Sequence, residues 1–293
     1  MKILTILGAR PQFIKSSAIS NIINLKYKDK IREIVVHTGQ HYDYEMSKVF
    51  FKEFKLKKPK HFLKISGLNH LEMTGKMIFM LDRVILKEKP DLILVYGDTN
   101  STLAGAIASV KKRIPIAHVE AGLRSKNNIM QEEINRIITD RVSKLLFCPT
   151  VGAKKNLFKE KFNNFNEKKI FNFGDVMLDI HKRYSFSMYK KSKLNDYYLV
   201  TIHREENCEI KIIENIINNL EQLAKHRKIL FPAHPRVKQI LKKIIKSDKI
   251  IITEPMNYIK FGKAIYNSFA VITDSGGVQK ESFFFKKKLF CFA

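Results

Sequence analysis

The stretch Val271-Ile-Thr-Asp-Ser-Gly-Gly-Val-Gln-Lys-Glu281 decides the fold of this chain of 293 residues. Ala270–Thr273 is predicted to be a buried parallel strand, and Asp274–Gly277 a tight turn that opens a helix. Free backbone N–H groups and the positive end of the helix dipole gather at such a turn and suit an anionic phosphate. The two glycines let the backbone approach that phosphate closely. Glu281, about one helical turn further along, is placed to accept hydrogen bonds from a ribose. A glycine-rich turn that serves packing alone is the alternative interpretation.

Apolar runs of strand length alternate with longer amphipathic segments along the rest of the chain, which predicts parallel sheets with helices on both faces. The predicted strands are Lys2–Leu7, Glu33–Thr38, Leu92–Tyr96, Pro115–Val119, Lys144–Cys148, Ile170–Asn172, Tyr197–Ile202, Lys228–Phe231, Ile250–Ile252 and Ala270–Thr273. Helices fit between them, for example at Pro11–Leu25, Leu71–Glu88, Ser101–Lys112 and Glu132–Ser143.

This rhythm predicts an α/β chain of two doubly wound, Rossmann-like domains, at 1–178 and 179–293. The polar stretch Asp179–Asp196 is interpreted as an irregular boundary between them. We expect the domains to face each other across a cleft, which is the usual ligand site in such folds.

The composition excludes several classes of protein. A hydrophobic content of 45% is ordinary for a globular protein, and no apolar run is long enough to cross a membrane. The N-terminus has no signal-peptide pattern, and the three cysteines, Cys148, Cys208 and Cys291, have no metal-binding spacing. We therefore expect a cytoplasmic protein with neither a membrane partner nor a metal site.

The formal net charge of +26 raises the question of nucleic-acid binding. The lysines are dispersed over Lys26–Lys30, Lys52–Lys60, Lys154–Lys169 and Lys238–Lys249 rather than gathered with aromatic residues on one element. No nucleic-acid-binding signature accompanies them. We expect solvated basic surfaces and no nucleic-acid partner.

Charged residues follow several predicted strands of the first domain, where functional groups of parallel α/β sheets gather. Arg10 and Lys15 lie near the start of a helix, where cations oppose the helix dipole, so an anion between them would resolve the conflict. Asp98 and Glu120 follow the third and fourth strands and are expected to enter the same crevice. Surface exposure of Arg10 and Lys15, and a helix-capping role for Asp98, are the alternatives.

Three further candidates come from later motifs. Glu132 is a third acid, although it can simply pair with Arg136 four residues along the same helix. His203 and His234 each follow a predicted strand of the second domain, where a histidine suits proton transfer or phosphate contact. Each histidine alone would more often be structural.

Eight motifs in this order closely resemble those of the non-hydrolysing UDP-N-acetylglucosamine 2-epimerases, and they span nearly the whole chain. They are Gly8-Ala-Arg-Pro11, Thr38-Gly-Gln-His41, Gly97-Asp-Thr99, His118-Val-Glu-Ala-Gly-Leu-Arg124, Glu132-Glu-Ile-Asn-Arg136, Gly174-Asp-Val-Met-Leu-Asp179, Thr201-Ile-His-Arg204 and Asp274-Ser-Gly-Gly277.

The resemblance implies a glycosyltransferase-B-like fold, a homodimer, and interconversion of UDP-GlcNAc and UDP-ManNAc for cell-surface polysaccharide synthesis. In such enzymes UDP leaves C1 as a proton leaves C2, and UDP then adds back to a bound 2-acetamidoglucal. The reaction needs neither a nicotinamide cofactor nor a metal, and the lack of a GxGxxG motif agrees with this.

The resemblance also implies roles for individual residues. The catalytic candidates are Asp98, Glu120, Glu132 and His203. Residues implied to bind the UDP-sugar are Arg10, Lys15, Arg136, His234, Ser275, Gly276, Gly277 and Glu281, the last through the ribose. Gln40 and His41 match a loop that in some members contacts a second, allosteric UDP-GlcNAc.

Two departures from the family pattern generate further expectations. The form Thr38-Gly-Gln-His-Tyr-Asp-Tyr44 resembles a subgroup that includes epimerases of 2,3-diacetamido uronic-acid sugars. The segment after Glu281 leaves the family pattern in the run Phe283–Lys288, which indicates a frameshift and an incomplete second domain. A glycosyltransferase of the same fold and an inactive UDP-binding protein are the rival functions.

Overall fold

The computed structural model describes residues 1–40, 50–162, 167–202, 207, 209–233 and 235–292. His41, His203 and His234 therefore lie outside the described residues. The chain divides into two compact units, Met1–Ile180 and His181–Ala293.

The first unit contains a parallel sheet of seven strands in the order β3-β2-β1-β4-β5-β6-β7. The strands are β1 (Lys2–Leu7), β2 (Arg32–His37), β3 (His61–Phe62), β4 (Leu92–Tyr96), β5 (Ile116–Val119), β6 (Leu145–Cys148) and β7 (Lys169–Asn172). The helices are α1 (Arg10–Lys26), α2 (His70–Glu88), α3 (Asn100–Lys111), α4 (Gln131–Val142) and α5 (Val151–Lys159), and α6 (Val176–Met188) begins in this unit and continues into the second.

The central strands of this sheet are apolar at successive positions because helices cover both of their faces. Leu4 and Ile6 of β1 and Ile93 and Val95 of β4 are fully buried in one core cluster, against which α2 and α3 pack. A second cluster lies around β6 and α5. Apolar burial in these clusters holds the polar strand ends in place.

The second unit contains a parallel sheet of five strands in the order β10-β9-β8-β11-β12. The strands are β8 (Tyr198–Thr201), β9 (Ile229–Pro232), β10 (Ile250–Thr253), β11 (Ala270–Thr273) and β12 (Lys288–Cys291). The helices are α7 (Ile210–His226), α8 (Pro235–Ile244), α9 (Tyr258–Asn267) and α10 (Gly276–Phe284). Its core gathers the apolar faces of β8, β9 and α7.

Both sheets reverse their strand order, between β1 and β4 in the first unit and between β8 and β11 in the second. A ligand crevice lies outside the carboxyl ends of the strands at such a reversal. The predicted doubly wound α/β fold is therefore confirmed. Ligand-binding residues are expected at the carboxyl ends of the strands beside each reversal.

One expectation about elements was wrong, and one strand was not expected. Part of the stretch Asp179–Asp196, predicted to be irregular, belongs to helix α6, because Met177, Ile180 and Met188 are buried at helical spacing while polar residues lie between them. The strand that was not expected, Lys288–Cys291, pairs in register with β11.

Candidate functional site

Glu120 directly follows β5, and Asp98 lies two residues after the neighbouring strand β4; the two strands pair with Tyr96 opposite Val119. Gly97 starts the first turn with φ +66°, and its N–H donates to the carbonyl of Val119 at 2.9 Å. The strands that precede the two acids are therefore neighbours. The two carboxylates therefore start from one edge of the sheet.

Asp98 pairs with the guanidinium of Arg136 on α4. Its backbone carbonyl accepts from the side chain of Asn135 at 2.9 Å. Helix α3 is capped by Thr99 instead, whose side chain accepts from the N–H of Thr102. The alternative of Asp98 as a helix cap is therefore wrong, and the carboxylate faces a cation.

Glu120 pairs with the ammonium group of Lys15, and both side chains are at most 10% exposed. Lys15 reaches this position from α1 by passing Gly97, where a Cβ would lie 3.1 Å from the Lys15 Nζ. Glu120 itself has φ +77°, a backbone conformation that costs a residue with a side chain about 1–3 kcal/mol. Such strain persists only where the surroundings impose it, and it often marks a functional position.

Glu132 is exposed in the first turn of α4, and the pair with Arg136 that was the alternative to a catalytic role is not the contact that holds that arginine. Arg136 binds Asp98 and, at 2.5 Å, Glu133. Glu133 can take the place of Glu132 in this contact, because residues three and four positions apart on a helix lie about equally close.

Glu133 is a buried site residue that the sequence analysis missed. Burial disfavours its charge, but N–H donors of Ser125 and Lys126, both at 3.0 Å, together with Arg136 outweigh burial. The pKa of Glu133 consequently lies below its usual value. The signal was present in the Glu-Glu-Ile-Asn-Arg spacing, in which the second glutamate stands three residues before Arg136.

The side chain of Gln12, in the first turn of α1, fills the turn that precedes this helix. Gln12 accepts from the N–H groups of Gly8 and Ala9 at 2.7 and 3.1 Å and donates to the carbonyl of Tyr96 at 2.9 Å. Gln12 is buried and was also missed, since a glutamine in a helix carries no distinctive sequence signal. The guanidinium of Arg10 lies 5.2 Å from the ring centre of Phe50.

Gln40 has a definite position after β2. Its side-chain oxygen accepts from the N–H and hydroxyl of Ser101 at 3.0 and 2.7 Å, at the start of α3. The side chain therefore ties the loop after β2 to the turn that carries Asp98.

In the second unit, Ser275 precedes α10 and makes no side-chain cap, and Gly276 and Gly277 form the first turn. A Cβ at Gly276 would meet nothing within 4 Å, so the approach to this helix start is open.

Asp274 and Glu281 lie on either side of this helix start. Asp274 accepts from the side chain of Asn207 at 2.8 Å, and Glu281 is buried in α10. The strand, turn and helix predicted for this stretch are confirmed, and the open helix N-terminus is chemically suited to an anion.

The described residues contain neither a membrane-spanning helix nor a cluster of metal-binding side chains. No helix among them is long and apolar enough to cross a membrane. No group of three or more His, Cys, Asp or Glu side chains in the same part of the chain is arranged to hold a metal ion.

Two parallel doubly wound units with acids at the strand ends of the first define a protein of the glycosyltransferase-B-like class. Residues 23–291 match the sequence model of the family described as UDP-N-acetylglucosamine 2-epimerase. The chain belongs to this family of non-hydrolysing UDP-sugar 2-epimerases, which are isomerases, and the resemblance seen in its motifs is confirmed.

Two relatives match this sequence over almost its whole length. The sequence is 45% identical to a UDP-N-acetylglucosamine 2-epimerase homolog of Methanococcus maripaludis and 45% identical to the UDP-2,3-diacetamido-2,3-dideoxy-D-glucuronate 2-epimerase of Pseudomonas aeruginosa. Each comparison covers 98% of this chain and 82% of the relative.

Solved structures give the same result. The crystal structure of the Methanocaldococcus jannaschii UDP-GlcNAc 2-epimerase in complex with UDP-GlcNAc and UDP matches with a TM-score of 0.88 at 39% identity, covering 99% of this chain and 83% of that one. The Neisseria meningitidis enzyme bound to UDP-GlcNAc matches with a TM-score of 0.84 at 30% identity, over 99% and 82% of the two chains.

Proposed function

We propose that this protein epimerises C2 of a UDP-2-acetamido sugar, interconverting UDP-GlcNAc and UDP-ManNAc for cell-surface polysaccharide synthesis. In the forward step the C2–H bond breaks, a C1–C2 double bond forms, and the C1–O bond breaks to release UDP. The 2-acetamidoglucal is then protonated at C2 from the opposite face, and UDP re-forms the bond to C1. The atoms balance without an oxidant or a reductant.

The observation that carries the proposal is the pair of acid–cation contacts at adjacent strand ends, Asp98 with Arg136 and Glu120 with Lys15. The reaction needs carboxylates to remove and deliver a proton, and cations to stabilise the departing diphosphate. Both kinds of group are gathered at one edge of the first sheet, which supports proton chemistry beside a phosphate leaving group.

The remaining assignments belong to the same proposal. Glu132 and His203 complete the catalytic set. Arg10, Lys15, Arg136, His234 and the turn Ser275–Gly277 bind the UDP-sugar, and the open start of α10 supports the role of that turn. Glu281 binds the ribose, and Gln40 with His41 contacts a second UDP-GlcNAc. The protein acts in the cytoplasm as a homodimer.

A second substrate has a specific argument in its favour. One relative at 45% identity acts, by its name, on a UDP-2,3-diacetamido-2,3-dideoxy-D-glucuronate. The Thr38–Tyr44 stretch resembles the same subgroup. This sugar also carries an acetamido group at C2, so the same acids would serve both substrates.

Proton NMR in D₂O tests the proposal with each of the two UDP-sugars in turn. We expect the C2–H signal of one sugar to disappear while its manno epimer appears. Glu120→Gln and Asp98→Asn should each slow this exchange by about 10²-fold or more, because general acid–base groups contribute about that much. Asp82→Asn is the matched control, since Asp82 belongs to a half-exposed ion pair with Lys112 and should leave exchange unchanged.

Two results would contradict the epimerase. Transfer of the sugar to an acceptor with the C2 proton retained would indicate a glycosyltransferase. Saturation transfer to the uridine protons without exchange of either sugar would indicate a UDP-binding protein.

A further inference from the structure

A fully buried pair, His118 on β5 and Asp140 on α4, lies beneath the two turns that carry the acids. The His118 Nδ1 and the Asp140 Oδ1 are 2.7 Å apart. The His118 Nε2 lies 2.7 Å from the carbonyl oxygen of Gly97, the residue before Asp98. A carbonyl and a carboxylate only accept, so both ring nitrogens of His118 donate and the ring orientation is defined.

The second oxygen of Asp140 reaches the other turn. It accepts from the backbone N–H of Gly122 at 3.0 Å, two residues after Glu120. It also accepts from Arg124 at 2.8 Å, and Arg124 binds Glu160 through two further hydrogen bonds of 2.6 and 2.9 Å. The carboxylate is thus held from three sides and cannot rotate without breaking one of these bonds.

Asp140 is poorly explained by local stability. It lies near the C-terminal end of α4 (Gln131–Val142), where a negative charge opposes the helix dipole. A buried ion pair is also weak evidence of net stabilisation, because desolvation offsets the attraction. A role in fixing the positions of the two turns accounts for both observations.

The geometry that Asp140 helps to fix includes the strained backbone of Glu120. Glu120 has φ +77° and Gly97 φ +66°, and the histidine and aspartate bridge the two turns through Gly97 and Gly122. A positive φ at a glutamate persists only when the surroundings over-determine it. We propose that His118 and Asp140 are positioning residues that fix the spacing of the Asp98 and Glu120 carboxylates. This proposal rests on the proposed function, since it assigns those carboxylates to the reaction.

The test uses two matched pairs of variants of the full chain. Asp140→Ala removes the contacts to His118, Gly122 and Arg124. Asp140→Asn keeps them, because its amide donates to an Nδ1 that no longer carries a proton, while its oxygen accepts from Gly122 and Arg124. Glu33→Ala and Glu33→Gln are the controls. Glu33 is also a buried acid of the first sheet, and its hydrogen bonds, at 2.7 and 2.9 Å, come from the hydroxyl groups of Thr5 and Ser20.

We expect Asp140→Ala to lower kcat for C2 exchange by about 10²-fold, the loss typical of a displacement near 1 Å. Asp140→Asn should stay within about fivefold of the unmodified protein, and both Glu33 variants should keep its kcat. A merely structural role would move the Ala variants at both positions alike. Equal losses in Asp140→Asn and Asp140→Ala, or an unchanged kcat in Asp140→Ala, would overturn the proposal.

Hydrogen exchange provides a readout that needs no activity. The Gly122 amide of the unmodified protein should exchange as slowly as the amides of β5, and Asp140→Asn should retain that protection. Rapid exchange of this amide would overturn the positioning role even if Asp140→Ala failed to fold. If neither UDP-sugar is turned over but Gly122 is protected, the proposed function fails while the positioning geometry stands.

Discussion

At the scale of single residues, the candidate site depends on two acids that are each held by a cation from a different helix. Lys15 comes from α1 to Glu120, and Arg136 comes from α4 to Asp98. Glu120 keeps this place despite a positive φ. A residue that combines backbone strain with a buried ion pair is costly to maintain, which supports a functional reason for it.

Replacing Glu120 separates the backbone cost from the side-chain contact. Glu120→Gly and Glu120→Ala both remove the contact with Lys15, but only glycine relieves the strain of φ +77°. We expect the glycine variant to be more stable than the alanine variant by about 1 kcal/mol, and both to lose C2 exchange. Chemical denaturation of the two variants measures this difference. An alanine variant as stable as the glycine variant would show that the turn is not strained.

At the scale of elements, helix α2 is joined to the edge strand β3 by one carboxylate. Glu88, in the last turn of α2, lies 2.7 Å from the Nε2 of His61 and 2.7 Å from the Nζ of Lys60. An acid at this helix end opposes the helix dipole, so any stabilisation by Glu88 comes from its contacts with His61 and Lys60. Hydrogen bonding from Lys60, with a further contribution from His61, lowers the pKa of Glu88 to about 2.

This lowered pKa predicts how stability depends on pH. An acid whose folded pKa is depressed stabilises the fold above its ordinary value of 4.5, and that contribution is lost as pH falls through about 2. Glu88→Gln should therefore lower the free energy of unfolding at pH 7 by about 1–2 kcal/mol, with the difference shrinking between pH 4.5 and 2.

Denaturant titrations at several pH values measure the effect of Glu88→Gln. Asp82→Asn on the same helix is the control, because its pair with Lys112 is half exposed and such pairs contribute little. A constant difference between Glu88→Gln and the unmodified protein across this pH range would contradict the assignment.

At the scale of the whole molecule, charge is the dominant feature, with 54 basic and 28 acidic side chains. A net charge of this size destabilises the compact state through repulsion, and salt screens that repulsion over distances of about 10 Å at 0.1 M. The fold itself is stabilised by the apolar clusters inside the two units.

Raising the NaCl concentration from 50 to 500 mM should therefore raise Tm by a few degrees, on the order of 1 kcal/mol of stability. Differential scanning calorimetry measures the change, and KCl in place of NaCl should give the same result if screening is the cause. A fall in Tm with added salt would show that favourable ion pairs outweigh the repulsion between like charges.

Much of the architecture was predictable because it is written in local patterns. The strand Ala270–Thr273 was predicted with the bounds that the structure has, and the helix expected at Glu132–Ser143 spans Gln131–Val142. The strand Lys288–Cys291 was missed because its four residues carry little periodicity and gain their order from pairing with β11. Helix α6 was missed because polar residues such as His181, Lys182 and Arg183 interrupt its apolar positions.

The sequence by itself determined the alternation of strands and helices, the glycine turns and the order of the family motifs, because apolar period and turn chemistry act between residues close along the chain. Only the tertiary structure decided which cation meets which acid. Arg136 of α4 binds Asp98, which lies just after β4, and Lys15 of α1 crosses Gly97 to reach Glu120. Such pairings depend on distances between separate elements, which the packing of the sheet sets and no local pattern encodes.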